Sequence, residues 1–243
     1  MNALLAWDPA SAPPVLTLLT VTIAYAAYHY AASPHLWTPS LKRRLGDRAP
    51  VAAVLLQRVL GFVMLGVIPA VIAFLALPDQ SRAWGLASGD LGLTAIIVAS
   101  AGALFVGMNA LLARGQTFQR NYPQLRTAPW TWRLLAANAA AWALYLAAYE
   151  FFFRGFFLWS MIDAFGVWPA IFITTAVYVA VHLPKNAGEA LGCIPMGVAF
   201  AWMSIVTGSV IAPILVHLLI ASSAETFAVL YSPTFWPRGE RRR

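Results

Sequence analysis

One cysteine, Cys193, is all the thiol chemistry this chain of 243 residues has. An internal disulfide and a multi-thiolate metal site built from a single chain are therefore excluded, and a thiol in an apolar stretch is expected to pack. Charge is scarce too: charged residues make up 10% of the chain and hydrophobic ones 60%, with only 9 Asp and Glu against 16 Lys and Arg. A soluble domain of this size would struggle to stay in solution on so little charge, so the expected solvent is a bilayer. There is no internal repeat, no low-complexity tract and no polar linker long enough to divide the chain. No basic region leads the first apolar stretch, where Asp8 is the only charge, so a cleaved signal peptide is not expected.

What the chain has in quantity is apolar runs of about 18 residues or more, the length that carries a helix across a hydrocarbon core of roughly 30 Å. They fall at 14–32, 53–77, 91–113, 134–158, 167–183, 190–207 and 209–230. These runs predict an all-α, multi-pass transmembrane bundle of about seven spans. The net charge of +7 is divided among connections: Lys42, Arg43, Arg44 and Arg48 in one, Arg114, Arg120, Arg126 and Arg133 in another, and Arg238, Arg241, Arg242 and Arg243 in the tail. Nucleic-acid binding needs basic residues gathered on one wet face, so no nucleic-acid partner is expected. In a seven-span arrangement all three groups lie on one side with Lys185, and only Arg82 lies opposite. The positive-inside rule then puts the N-terminus outside and the C-terminus in the cytoplasm. Membrane lipids are the expected partners of the arginine-rich tail, and a bacterial cytoplasmic membrane is the expected location.

The segment 114–133, with Asn121-Tyr122-Pro123 and Pro129-Trp130, reads as a turn-rich connection. It divides residues 1–133, accessory helices and basic loops, from a core at 134–230 and a basic tail at 231–243. The chemistry-bearing residues fall mostly in the core. Glu150 and Arg154 stand four apart in Tyr149-Glu150-Phe-Phe-Phe-Arg154, inside a span. A charged side chain at the bilayer centre costs about 2.5–3.5 kcal/mol on insertion scales, so such residues face a bundle interior and find partners. Residues at i and i+4 share a helix face, and this pair can either neutralise itself as a packing device or point together into a site. His182 ends the fifth run and His217 lies in the seventh. Two histidines and a glutamate on three helices supply the groups to bind water or a metal, take a proton and stabilise an oxyanion.

The order and spacing of Tyr149-Glu150-x-x-x-Arg154, Tyr178-x-x-x-His182 and His217-x-x-x-Ala221 resemble the CPBP intramembrane proteases, which include the CAAX prenyl endopeptidases and the bacterial Abi proteins. The resemblance covers roughly residues 134–230. It implies an intramembrane endopeptidase acting on a membrane-associated peptide or protein, with Glu150, His182 and His217 as catalytic residues and Arg154 in support. The family pattern has Glu-Glu where this chain has Tyr149-Glu150, and His-x-x-x-Asn where it has His217-x-x-x-Ala221. In the family, the first glutamate and the middle histidine are thought to activate water, and the last histidine and the asparagine to bind the oxyanion. The resemblance thus implies that Glu150 would have to activate water with His182 while His217 holds the oxyanion, or that the chain is a non-catalytic relative that binds or scaffolds. A small transporter using Glu150, His182, His217 and Glu225 is a third reading, weakened by the lack of inverted repeats. Two histidines and a carboxylate are also a common zinc set, yet no compact His-Glu-x-x-His occurs and the family has been described both as metalloproteases and as glutamate-dependent proteases, so the cofactor is left open.

Other residues carry plainer expectations. Glu225 reads as a solvated carboxylate at a helix end, and Lys185 and Glu189 as interfacial. Pro184 marks a helix end or a break beside His182. Asn186 and Ser222 are the substitutes available for a missing amide donor. The phenylalanines around Glu150 are expected in packing or lipid contact. Trp130, Trp132, Trp159, Trp168 and Trp236 fall near span ends, where an aromatic belt is expected.

Overall fold

The computed structural model describes residues 8–77, 83–127, 129–184, 187–232 and 234–235. Arg82, Lys185, Asn186, Trp236 and the tail arginines lie outside these described residues. Helix α1, Ala12–Ala31, has Pro13 and Pro14 in its first turn, where the missing N–H groups would have had no partner in any case. Helix α2, Pro34–Leu45, carries Lys42, Arg43 and Arg44 in its last turn, where the helix dipole favours cations. Helix α3, Ala49–Phe62, runs through a π-helical turn at Val63–Val67 into α4, Ile68–Ala76. Pro69 gives the reason for that turn: it has no N–H to donate backwards and its ring would crowd the carbonyl of Leu65.

Asp90 caps α5, Leu91–Leu112, by accepting from the Leu93 N–H at 2.8 Å. The connection that follows holds a short α6, Gln116–Asn121. Thr131 caps α7, Trp132–Glu150, in the same way at 3.2 Å. A second π-helical stretch, Phe151–Phe157, leads from α7 into α8, Leu158–Phe165. Gly166, at φ +80, turns the chain into α9, Val167–Ala180. Helix α10, Ala187–Thr207, and α11, Ile211–Tyr231, are joined by a tight turn in which Gly208 has φ +69.

The described residues contain helices and no strand, and six helical stretches are long and apolar enough to cross a membrane. They are Pro9–Ala31, His35–Ala76, Leu91–Leu112, Trp132–Phe165, Ala187–Thr207 and Ile211–Tyr231. The chain is therefore an all-α, multi-pass membrane protein. The remaining expected span, 167–183, is a helix of 14 residues, because the chain leaves helical geometry just before His182 and Pro184.

Aromatic residues pack the middle of the bundle. Phe152, Phe153, Phe156 and Phe157 are buried to within 1% of completely, so the phenylalanines near Glu150 pack against protein rather than lipid. Trp130 and Trp159 are also fully enclosed, whereas Trp132 and Trp168 are exposed, so only part of the expected tryptophan belt exists. Close helix approach depends on small residues: a Cβ on Gly66 would meet the Ala148 Cβ at 2.8 Å, and one on Gly61 would meet the Tyr145 ring at 2.5 Å. Exposed Ile23, Phe74, Leu75, Leu104 and Leu111 form the outward apolar surface that a bilayer solvates.

Candidate functional site

Glu150 ends α7 as the helix widens into its π-helical stretch, a geometry that often marks functional positions. Its side chain is completely buried. Oε1 lies 2.5 Å from Nδ1 of His217 on α11, and Oε2 lies 3.3 Å from Nη1 of Arg154. The first contact is a short charge-assisted hydrogen bond in which the imidazole N–H donates to the carboxylate. The second is an ion pair without hydrogen-bond alignment, and neither Oε2 nor Nη1 has a hydrogen-bond partner among the described residues. Arg154 is boxed in by aromatic faces: its guanidinium carbon is 4.1 Å from the Tyr178 ring centroid, 5.3 Å from Phe200 and 5.6 Å from Phe153. The buried carboxylate is thus held between two potential cations, the arrangement that makes an intramembrane charge tolerable.

His182 lies two residues beyond the end of α9. Its Nδ1 is 2.7 Å from the Tyr178 carbonyl oxygen. A carbonyl can only accept, so Nδ1 carries the proton and, in the neutral ring, Nε2 carries the lone pair. The helix ends before Pro184, with turn hydrogen bonds from His182 N–H to Val179 and from Leu183 N–H to Ala180.

His182, His217 and Tyr149 line one cavity of about 260 Å³. Tyr149 stands between the histidines, its ring centroid 6.4 Å from that of His182 and 6.2 Å from that of His217. Glu150 and Arg154 do not line this cavity; they reach it only through the imidazole of His217, whose side chain is one-fifth exposed. The four expected site residues therefore form two layers, with the two histidines at the cavity wall and the ion pair behind one of them.

Much of the wall comes from the half of the chain expected to be accessory. Tyr25, Tyr28 and His29 on α1, Gln57 and Arg58 on α3, and Gln124 in the 114–133 connection all line the cavity. The expectation for Glu225 fails: it is 1% exposed, accepts from the Gln124 N–H at 2.9 Å, and lies 3.4 Å from Asn138 Nδ2. Its position two turns beyond His217 brings it inside the bundle, where the connection before α7 folds over it. Tyr122, in that connection, is pushed up to about 12 by burial and by the charges of Glu189 and Glu225. For zinc, the donors do not fit: among the described residues no group of three or more His, Cys, Asp or Glu could hold a metal ion. Glu150 is committed to His217 and Arg154.

A multi-pass helical protein with a histidine pair walling an intramembrane cavity, backed by a buried carboxylate, is the class that fold and site define. Comparison with family models is more specific: residues 129–223 match the model described as Type II CAAX prenyl endopeptidase Rce1-like. That stretch of the chain is similar to the Rce1-like members of the CPBP intramembrane protease family. It contains Tyr149, Glu150, Arg154, His182 and His217, and leaves out Arg58, Gln124 and Glu225. Comparison with curated proteins and with solved structures gave no match.

Proposed function

We propose that this protein is an intramembrane endopeptidase that hydrolyses a peptide bond of a membrane-associated substrate, with the Glu150–His217 pair rather than Glu150 itself as its base. The observation that carries this reading is the 2.5 Å contact between Glu150 and a histidine that lines the same cavity as His182 and Tyr149. With Nδ1 donating to Glu150, His217 presents Nε2 to the cavity. Nε2 takes a proton from water as the water oxygen attacks the peptide carbonyl carbon, and Glu150 stabilises the imidazolium that forms, as a buried carboxylate does behind a catalytic histidine. His182 Nε2 accepts the second hydrogen of the water and orients it. The Tyr149 hydroxyl, a phenol that keeps its proton at neutral pH and so is no base, donates to the developing oxyanion instead. When the tetrahedral intermediate collapses, the C–N bond breaks and the proton on His217 passes to the leaving amine.

Arg154 is a positioning residue in this scheme, holding the carboxylate whose other oxygen faces His217. The cavity is lined by His29, Gln124 and Pro184, which lie at the bundle end that bears the basic connections. Under the positive-inside rule that end is cytoplasmic, so the substrate would enter from the cytoplasm. The test is cleavage of a prenylated peptide by the purified protein in lipid nanodiscs, read by mass spectrometry. Turnover that disappears in both His217→Ala and Glu150→Gln is expected; turnover indifferent to both would sink the assignment. A second reading, favoured by Tyr149 standing where the family has a carboxylate, is a receptor that binds the peptide without cutting it. Saturable binding with no product from the wild-type protein would select it.

A further inference from the structure

We infer that Tyr25, on α1 and outside the matched segment, is a positioning residue for His182; this rests on the reading of His182 as the group that orients the attacking water. The Tyr25 hydroxyl donates to the Val181 carbonyl oxygen at 3.1 Å, across 156 residues of chain. Val181 caps the C-terminal end of α9, and His182 follows it directly. The last carbonyls of a helix lack amide partners from their own helix. For Val181 the residue three further on is Pro184, which has no N–H to give. A phenol from another helix supplies the donor, so α1 holds the piece of backbone from which the imidazole projects.

His182 depends on that backbone staying ordered. Its Nδ1 donates to the Tyr178 carbonyl one turn back, while its own N–H and that of Leu183 close turns onto Val179 and Ala180. All three bonds belong to the last turn of a helix, which is where helices fray. Packing does little to hold this turn from outside, since Leu183 is 66% exposed and Pro184 is exposed as well. If the turn opens, the Tyr178 carbonyl leaves Nδ1, and the imidazole loses the bond that sets its tautomer. The Tyr178 and Tyr149 rings, at centroid distances of 4.6 Å and 6.4 Å, pack against the imidazole, but ring packing does not choose which nitrogen carries the proton.

Tyr25 is itself fixed. Val21 and Ala24, the residues before it on the inner side of α1, are 2% and 6% exposed. Its ring stacks on His29 with centroids 6.3 Å apart and meets Tyr28 edge-on at 6.0 Å. Tyr25 and Val181 both line the cavity, so the bond between them is part of its wall. The one hydroxyl proton is given to Val181, which leaves the oxygen able only to accept on its other side. An oxyanion needs a donor, so Tyr25 contributes geometry and not charge stabilisation. That geometry matters to the reaction: with Nδ1 protonated, His182 Nε2 accepts from water, whereas the other tautomer would present an N–H there. A reacting group misplaced by about 1 Å can cost about 10²-fold in rate.

The experiment uses the full chain in nanodiscs with isotopically labelled histidine, so that nitrogen NMR reads the imidazoles and a prenylated peptide reads turnover. The His182 signals, identified by their loss in His182→Gln, are expected to show one tautomer, protonated at Nδ1. Tyr25→Phe keeps the ring and removes only the hydroxyl. It should mix the two tautomers of His182 and lower kcat about 10- to 100-fold with KM unchanged. A p-amino analogue of phenylalanine put in place of Tyr25 keeps a donor and should restore both readings. Mixed tautomers in the wild-type protein overturn the inference, as does a single tautomer that survives Tyr25→Phe, or a variant in which KM rises while kcat stays. Cleavage by the wild-type protein that Tyr25→Phe leaves at full rate would keep the peptidase reading and remove the role of Tyr25. A tautomer change in Tyr25→Phe, in a protein that cuts nothing, would do the reverse.

Discussion

Two buried charged clusters on α7, about three turns apart, are built to opposite plans. In the first, a carboxylate is central: Glu150 lies between His217 and Arg154, and the cavity sees only the histidine. In the second, a guanidinium is at the wall: Arg58 meets the cavity itself, and the carboxylate of Glu225 is set behind an asparagine. A buried charge screened by a titratable ring can act only through that ring, by moving a proton. The second charge is instead fixed in place, stacked on Trp142 and bonded to Asn138, with one arm buried and without a hydrogen-bond partner among the described residues.

The sharpest way to break that comparison is to disable the first cluster twice. His217→Ala should lower the rate of peptide cleavage by about 10²- to 10⁴-fold, the usual worth of a positioned general base. Because Glu150 is proposed to work through His217, the double variant Glu150→Gln with His217→Ala should be no slower than His217→Ala alone. Multiplying losses would mean that Glu150 acts independently. The matching change at the second cluster, Glu225→Gln, should leave the rate within a small factor of wild type.

Stability separates the clusters next. Arg154→Met leaves a completely buried carboxylate with one partner and should cost about 3–5 kcal/mol, measured as denaturant unfolding in detergent. Arg58→Met should cost less, because Glu225 keeps its bonds to Gln124 and Asn138. The reverse order would show the second cluster to be the structural one. Tyr149→Phe keeps the ring contacts with both histidines and removes only the hydroxyl; a fall in kcat of about 10²- to 10³-fold with unchanged unfolding is expected. Full activity in that variant would take the oxyanion role away from Tyr149. The smallest effect is expected from Gly61→Ala, whose new methyl would meet the Tyr145 ring between the two clusters. Overpacking of this kind costs about 1–3 kcal/mol, and it should weaken peptide binding by narrowing the cavity.

The helices were legible because bilayer-crossing runs announce themselves by length. The run expected at 91–113 is Leu91–Leu112, and the last one, expected at 209–230, is Ile211–Tyr231. The run at 167–183 misled because apolar composition continues through Val181 after the backbone has stopped being helical. At the site, Glu150, Arg154, His182 and His217 were visible as intramembrane polar residues at family spacing. The layering was not visible: nothing in the order of residues says that Glu150 reaches the cavity only through His217. The second cluster was hidden for a different reason. Arg58 meets Asn138 across 80 residues of chain, and Asn138 meets Glu225 across 87, so no local pattern joins them. The available signal was the arginine itself, a cation placed well inside an apolar run, which deserved the same question of partnership as Glu150.

Helix α9 has a consequence for the lipid as well as for the protein. Fourteen residues rise only about 21 Å even when the helix stands upright, against a hydrocarbon thickness of about 30 Å. Trp168 and Phe172 on its outer surface are exposed, so acyl chains must meet this short flank directly. Lipids there can cover it only by bending or shortening, which thins the membrane next to the helix that delivers His182. The bilayer is then a deformed wall of the protein on this flank.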